Sequence, residues 1–396
     1  MPTQLGLHFW PNYSYVYGLR IDYLSPTLYF TDVLIILLFL TTFLKKGTWK
    51  LNPLFVLFFA ILLIGVLYAK NWQVGVYGTA KFLEIFYLAY YFSEKIIKIN
   101  ALIFPLVLSS LFESFLAIAQ FLNKGSLGSI LYFLGERSFN GQTPGIANAS
   151  IAGNLILRPY GTFSHPNVLA GFLLIVISLI LFRKDKLNLF YGISLAISSI
   201  ALLVTLSRTT ILLLAIMVFL KIVFIYKKRL HQRKFLLSLF TVMIVILYFV
   251  FLSPFSLRFL GSSLGDISVT QRESLANAAF AMFLKNPLFG VGVNNFLVNL
   301  PIFISQQTTV LIQPVHNIYL LILAETGITG FLLSLAVIIL AYKNIYNKKN
   351  LLISILFFEV LFLGLFDHYF LTLQQGQLLT ALIVGLSFSK VKFDIE

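Results

Sequence analysis

The feature that most constrains this chain is a recurrence of apolar blocks of about 20 residues, each long enough to cross a hydrocarbon core of roughly 30 Å as a helix. Composition agrees: 59% of the 396 residues are hydrophobic and 11% are charged, with a mean hydropathy of +0.92. Soluble domains run at roughly 45–50% and about 25%, and polar linkers that would divide a soluble chain of this length are missing. The expected fold is all-α, a polytopic transmembrane helical bundle forming one integral membrane domain over residues 1–396.

Eleven spans are expected, near 27–44, 53–69, 75–92, 101–122, 167–182, 188–206, 209–226, 235–252, 317–342, 351–366 and 376–389, with room for a twelfth. Basic residues alternate with the loops between them. One side holds 18 of the 29, in short clusters such as Lys45-Lys46, Arg183-Lys184 and Lys227-Lys228-Arg229. That side is therefore cytoplasmic, which puts the N-terminus outside and the C-terminus inside the cytoplasmic (inner or plasma) membrane.

The net charge of +15 thus reads as topology and not as a nucleic-acid surface. With no cysteine, disulfides and thiolate metal sites are excluded. The first 26 residues are polar and aromatic and lack the pattern of a cleavable signal peptide. No heptads, repeats or low-complexity tracts stand out.

Two outer segments are long, about 123–166 and about 253–316. In the second, Thr270-Gln271-Arg272-Glu273 reads as a capping box that opens a helix over about 270–285. Its stripe of Leu275, Ala278, Ala279, Met282 and Phe283 suggests a helix lying on the membrane–water boundary. Long loops with structure of their own are usually functional, so the chemistry is expected outside.

Charges at a membrane boundary are costly and hence informative. Arg158, Arg208 and Arg272 all fall on the expected outer face. Taken singly, each could be a snorkelling or capping residue. Jointly they suit an anion, since guanidinium groups grip phosphate oxygens in pairs and a first-turn Arg272 would add free helix N–H groups. His316, in Pro314-Val315-His316-Asn317, is the side chain best suited to proton transfer near neutral pH. Glu325 lies nine residues further on, roughly 13 Å deeper in a helix, as a structural partner. Gly327 and Gly330 are expected to permit close helix approach.

Other features weigh less. His165 and His368 are rival outer histidines, but no local ligand spacing such as H-x-x-x-H accompanies them, so no metal or other cofactor is expected. Lys81, Glu84 and Glu113 look like an intramembrane ion-pair network with a structural role. Gly290-Val291-Gly292 lacks the third glycine of a dinucleotide fingerprint and reads as a turn. The triplets Asn12-Tyr13-Ser14 and Asn148-Ala149-Ser150 match a glycosylation pattern that arises often by chance.

Four of these motifs occur in a recognisable order: Arg158 to Gly171, Ser207-Arg208, the Arg272 helix running into Asn286-Pro287-Leu288-Phe289-Gly290-Val291-Gly292, and His316-Asn317 followed after nine residues by Gly327-x-x-Gly330. With Asp367-His368-Tyr369, this order resembles the O-antigen ligase and polymerase superfamily over about residues 150–390. The resemblance implies a C-type membrane glycosyltransferase architecture with a long helical extracytoplasmic loop. It implies transfer of a glycan from a polyprenyl-diphosphate carrier to an acceptor hydroxyl, with inversion and without metal. By position, Arg208 and Arg272 would bind the diphosphate and stabilise its charge, and His316 would be the general base. Arg158, His165, Asn317 and Glu325 would complete the substrate pocket. The acceptor, whether lipid, glycan or protein, stays open, so ligase, polymerase and protein O-glycosyltransferase share the reading. The competing class is a transporter or flippase of lipid-linked sugars, whose key charges would lie near the midplane.

Overall fold

The computed structural model describes residues 4–44, 53–95, 99–151, 154–183, 188–227, 267–304 and 312–389. The expected span at 235–252 lies outside them, as do residues 253–266 and 305–311 of the second outer segment.

Within the described residues every expected span coincides with a helix: α1 Phe30–Leu44, α2 Pro53–Tyr68, α3 Trp72–Glu94, α4 Ile99–Asn123, α5 Pro166–Leu181, α6 Leu189–Val204, α7 Arg208–Lys227, α10 Ile318–Asn347, α11 Leu351–Leu363 and α13 Gln374–Phe388. Between them come α8 Ile267–Lys285, α9 Phe296–Phe303 and the single turn α12 Tyr369–Thr372. By length and apolarity, two described helices can cross a membrane, over Ala101–Asn123 and Ile318–Asn347, and five more are apolar but shorter.

The helix starts are written locally. The Asn71, Asn188, Asn317 and Asn350 side chains each accept from backbone N–H groups of the first turn, satisfying donors that a helix leaves orphaned. His165 does the same for α5 through Nδ1, accepting from Asn167 N, with Pro166 following where its missing N–H is no loss.

The fold is not purely helical. Three two-stranded antiparallel hairpins decorate the non-spanning segments: β1 Gly6–His8 with β4 Thr27–Tyr29, β2 Tyr15–Val16 with β3 Leu19–Arg20, and β5 Asn148–Ile151 with β6 Asn154–Leu157. These strands are two to four residues long, too short to register as a periodicity.

Two clusters form the interior. Around α5, which is buried along its whole length, pack residues of α4, α6, α7, α11 and α13. Surrounded on all sides, it is held by fit, since lipid tails supply no hydrophobic drive between helices. The second cluster joins Val16, Ile21 and Leu24 of the N-terminal hairpins to α8, α9 and the start of α10.

That second cluster corrects the expected interfacial helix. The helix containing Thr270 is described from Ile267, so Thr270 and Glu273 lie inside it and form no capping box. Leu275, Ala278, Ala279 and Met282 face protein, packed with Phe296, Leu300, Leu321 and Ala324. Phe280 and Leu284 are the apolar residues left exposed.

Helix α10 is broken at Gly327, whose φ of 63° and ψ of −166° are non-helical. The segment Pro287–Gly292 fills the break. Ile328 N donates to Pro287 O at 2.8 Å, Val291 N to Ala324 O at 2.9 Å and Gly292 N to Glu325 O at 3.0 Å. A Cβ on Gly327 would strike the Leu288 backbone. Gly327 thus serves a left-handed break rather than close helix approach, and Gly330 makes room for Thr326 of its own helix.

The expected ion-pair network divides in two. Lys81 Nζ bridges Asp32 Oδ1 and Glu84 Oε2, each at 2.8 Å. Glu113 stands apart from it. Its Oε1 accepts from Thr162 Oγ1 at 2.6 Å and its Oε2 from Thr162 N at 2.8 Å.

Candidate active site

The turn at residues 160–163 shows how the fold delivers the site. Besides Glu113, Gln120 Oε1 accepts from Tyr160 N at 3.0 Å and from Gly161 N at 2.8 Å. Two side chains of α4 therefore fix a loop that has no regular structure, and with it Arg158, His165 and Asn167.

His316 and Asn317 are placed from the other side. Asn317 Oδ1 accepts from Tyr319 N and Leu320 N, and its Nδ2 donates to Leu365 O at 3.1 Å. Ile318 N donates to Gly364 O at 2.8 Å. The start of α10 is thereby clamped to the end of α11, and Asp367 follows two residues beyond Leu365. His316 Nδ1 then lies 3.6 Å from Asp367 Oδ1, and the His316 and His368 rings are 5.2 Å apart.

Asp367 is held from several directions. Its Oδ2 accepts from Asn167 Nδ2 at 2.7 Å, and its Oδ1 accepts from His368 N at 2.8 Å. Asn167 Oδ1 in turn accepts from Arg158 Nη2 at 2.6 Å, while Arg158 Nε donates to Thr205 O at 2.6 Å. Thr205 ends α6, three residues before Arg208. One chain of hydrogen bonds thus runs from that turn through Arg158 and Asn167 to the carboxylate facing His316.

The histidines differ in charge tendency. Burial, reinforced by the positive Arg158, pushes His165 down to about 3. Burial also brings His368 to about 3, with His316 and Arg272 acting in the same sense and Asp367 opposing. For Asp367 burial works against the anion, but the nearby His316, with the charges of His368 and His165, outweighs it and holds the carboxyl well below its ordinary range. An anionic Asp367 beside two neutral imidazoles is the result.

Of these, His165 and His316 line a cavity of about 1270 Å³, whose wall also includes Arg158, Arg272, Gln313 and Glu325. The structure brings together six of the sequence-derived residues, since Asn317 adjoins His316 beneath the wall. Arg208 is at the first position of α7 and is not among the lining residues.

Several assignments change with the geometry. Arg158 is 6% exposed and committed to Thr205 and Asn167, so it braces the site more than it offers an open anion contact. Arg272, in the second turn of α8, has no first-turn N–H groups beside it, but it is exposed and on the wall. Glu325 Oε1 accepts from Phe296 N at 3.2 Å, which makes it a cap for α9. Asn317 is a helix cap and clamp.

Sequence reasoning missed Asp367 and Asn167 as site residues and missed Gln313, whose Nε2 is 2.9 Å from His316 Nε2. The pair Asp367-His368 ahead of the last apolar block was the available signal. The expectation of no metal set rested on local spacing. Among the described residues His316, Asp367 and His368 offer ligand atoms all within 4.8 Å of one another, assembled from two distant segments.

A helical membrane protein with a cavity lined by the exposed Arg272 and by His316, which Asp367 backs, is the class that fold and site define. Residues 193–335 match the family model for O-antigen ligase, and over that stretch the chain is similar to that family. It contains Arg208, Arg272, His316 and the Gly327 break. The match supports ligase- or polymerase-type function in general, with a lipid-linked glycan and an acceptor as the kind of substrates. No curated protein matches the chain.

Proposed function

We propose that the chain transfers a glycan from a polyprenyl-diphosphate carrier to an acceptor hydroxyl at the outer face of the cytoplasmic membrane. The observation that carries this is His316, whose Nδ1 faces an anionic Asp367 while its Nε2 meets Gln313 on the cavity wall. A carboxylate that keeps the proton on Nδ1 leaves the Nε2 lone pair as a base. The acceptor displaces Gln313, and its O–H proton passes to Nε2 as its oxygen bonds to the anomeric carbon. The bond from that carbon to the diphosphate oxygen breaks in the same step, which inverts the centre. The departing diphosphate gains charge, and Arg272, on the cavity wall, would stabilise it. Arg208, carried over from the family pattern, would act on the same diphosphate from the α7 turn.

The test is transfer by the purified chain from a defined polyprenyl-diphosphate glycan, with lipid, glycan and peptide acceptors offered in parallel. His316→Ala is expected to abolish transfer while leaving membrane insertion intact, and full activity in that variant would remove His316 as base. The acceptor that receives the glycan separates ligase, polymerase and protein glycosyltransferase.

One observation favours the transporter reading: transporters bind substrate at broken helices, and α10 is broken at Gly327. Here, however, the freed backbone groups are taken up by Pro287–Gly292 and leave nothing to hold an ion. Movement of lipid-linked glycan across vesicles without transfer would support that alternative.

A further inference from the structure

We propose that His316, Asp367 and His368 form a binding site for a borderline-soft divalent cation, Zn2+, and that its occupation switches the base off. The donors are two imidazoles and one carboxylate, a set that suits zinc and its neighbours better than the hard cations. Their ligand atoms lie within 4.8 Å of one another. Bonds of 2.0–2.1 Å in a tetrahedron put ligand atoms about 3.3 Å apart, and His316 Nδ1 and Asp367 Oδ1 already stand at 3.6 Å. Small side-chain movements close the rest.

Two further observations point to a ligand. His316 Nδ1 is buried and finds no hydrogen-bond partner among the described residues, a polar atom that a cation between it and Asp367 would satisfy. The three side chains also carry the outer partners that metal ligands use for orientation. His368 Nδ1 pairs with Thr372 Oγ1 at 2.6 Å, which leaves Nε2 to ligate. Asp367 Oδ2 is held by Asn167, and His316 Nε2 meets Gln313. Three protein ligands leave one coordination position for water.

The consequence for activity rests on the transferase reading above. A cation on Nδ1 displaces the proton there, so the neutral ring carries its remaining proton on Nε2, and Nε2 can no longer accept one. Zinc bound this way stops proton transfer without filling the substrate cavity. It is expected to lower kcat and leave KM nearly unchanged.

Zn2+ is titrated into the full chain, purified in detergent through a histidine-free tag, in competition with a chromophoric chelator. One ion per chain is expected. His368→Ala and the milder His368→Gln should each lose that binding, and Asn167→Ala should weaken it about 10- to 100-fold. His8→Gln, which removes a histidine outside the cluster, should bind as the wild type does. Wild-type stoichiometry and affinity in both His368 variants and in Asp367→Asn overturn the site. In the transfer assay one equivalent of Zn2+ should lower kcat, with recovery on adding EDTA, and unimpaired transfer by the zinc-loaded chain overturns the switch. A metal-free chain that binds one zinc but transfers nothing refutes the transferase reading and leaves the site standing.

Discussion

Arg272 and Arg208 are the same side chain in different settings, and the difference is measurable. Arg272 is exposed on the cavity wall, whereas Arg208 opens α7 and is not among the lining residues. Lysine keeps the charge but loses the planar two-pronged contact with phosphate. Arg272→Lys is expected to lower kcat/KM about 10- to 100-fold, and Arg208→Lys to lower it less. Steady-state kinetics with one donor would reverse this ranking if the diphosphate sat at the α7 turn. His165 gives a pH prediction. Its folded value is pushed down to about 3 from an ordinary 6.5 in the unfolded chain. Between those values the unfolded state binds the extra proton, so stability falls as pH drops below about 6.5. His165→Asn keeps a capping acceptor and removes that titration. Its melting temperature in detergent should therefore fall less than the wild type's on going from about pH 7.5 to about pH 5, and equal losses would show that His165 is not the group responsible. Histidine and arginine were visible as chemistry in the sequence because they are rare at membrane boundaries. The bond from Arg158 to Asn167 was not, since a guanidinium beside a phosphate-like motif reads the same whether its partner is a ligand or an amide.

At the scale of elements, apolar blocks gave the described helices to within five residues at either end, because long apolar runs have few alternatives in a membrane. The break in α10 stayed hidden. Gly327 and Gly330 have the spacing of a helix-packing motif, and only the arrival of Leu288 shows what the first glycine is for. Gly327→Ala forces a side chain into a positive-φ conformation kept for glycine, at about 1–3 kcal/mol, and into the Leu288 backbone. It is expected to lower the melting temperature and to weaken transfer by shifting the α10 segment that carries His316. A Gly327→Ala protein that melts and turns over as the wild type does would refute this. The Asp367–His316 pairing was equally illegible, because two segments far apart in the sequence meet through the bonds of Asn317 to Leu365 and of Ile318 to Gly364. The stripe on α8 misled for a related reason: an apolar face looks the same whether it meets lipid or Leu321 and Ala324.

The orientation expected for the whole molecule rests on its basic loops, and the absence of cysteine makes that testable without background labelling. Ser138→Cys and Lys343→Cys place single thiols in exposed positions on opposite expected sides. In intact spheroplasts a membrane-impermeant maleimide should label the first and not the second, and labelling of Lys343→Cys alone would invert the topology. The same arrangement places the cavity between an N-terminal hairpin, the 157–167 loop and the start of α10, so no single segment of the chain owns the site. Synthesis runs from residue 267 to residue 347, so Pro287–Gly292 leaves the ribosome before the two halves of α10 that close around it. The peg exists before its socket. The break in α10 therefore closes on backbone that the ribosome has already delivered.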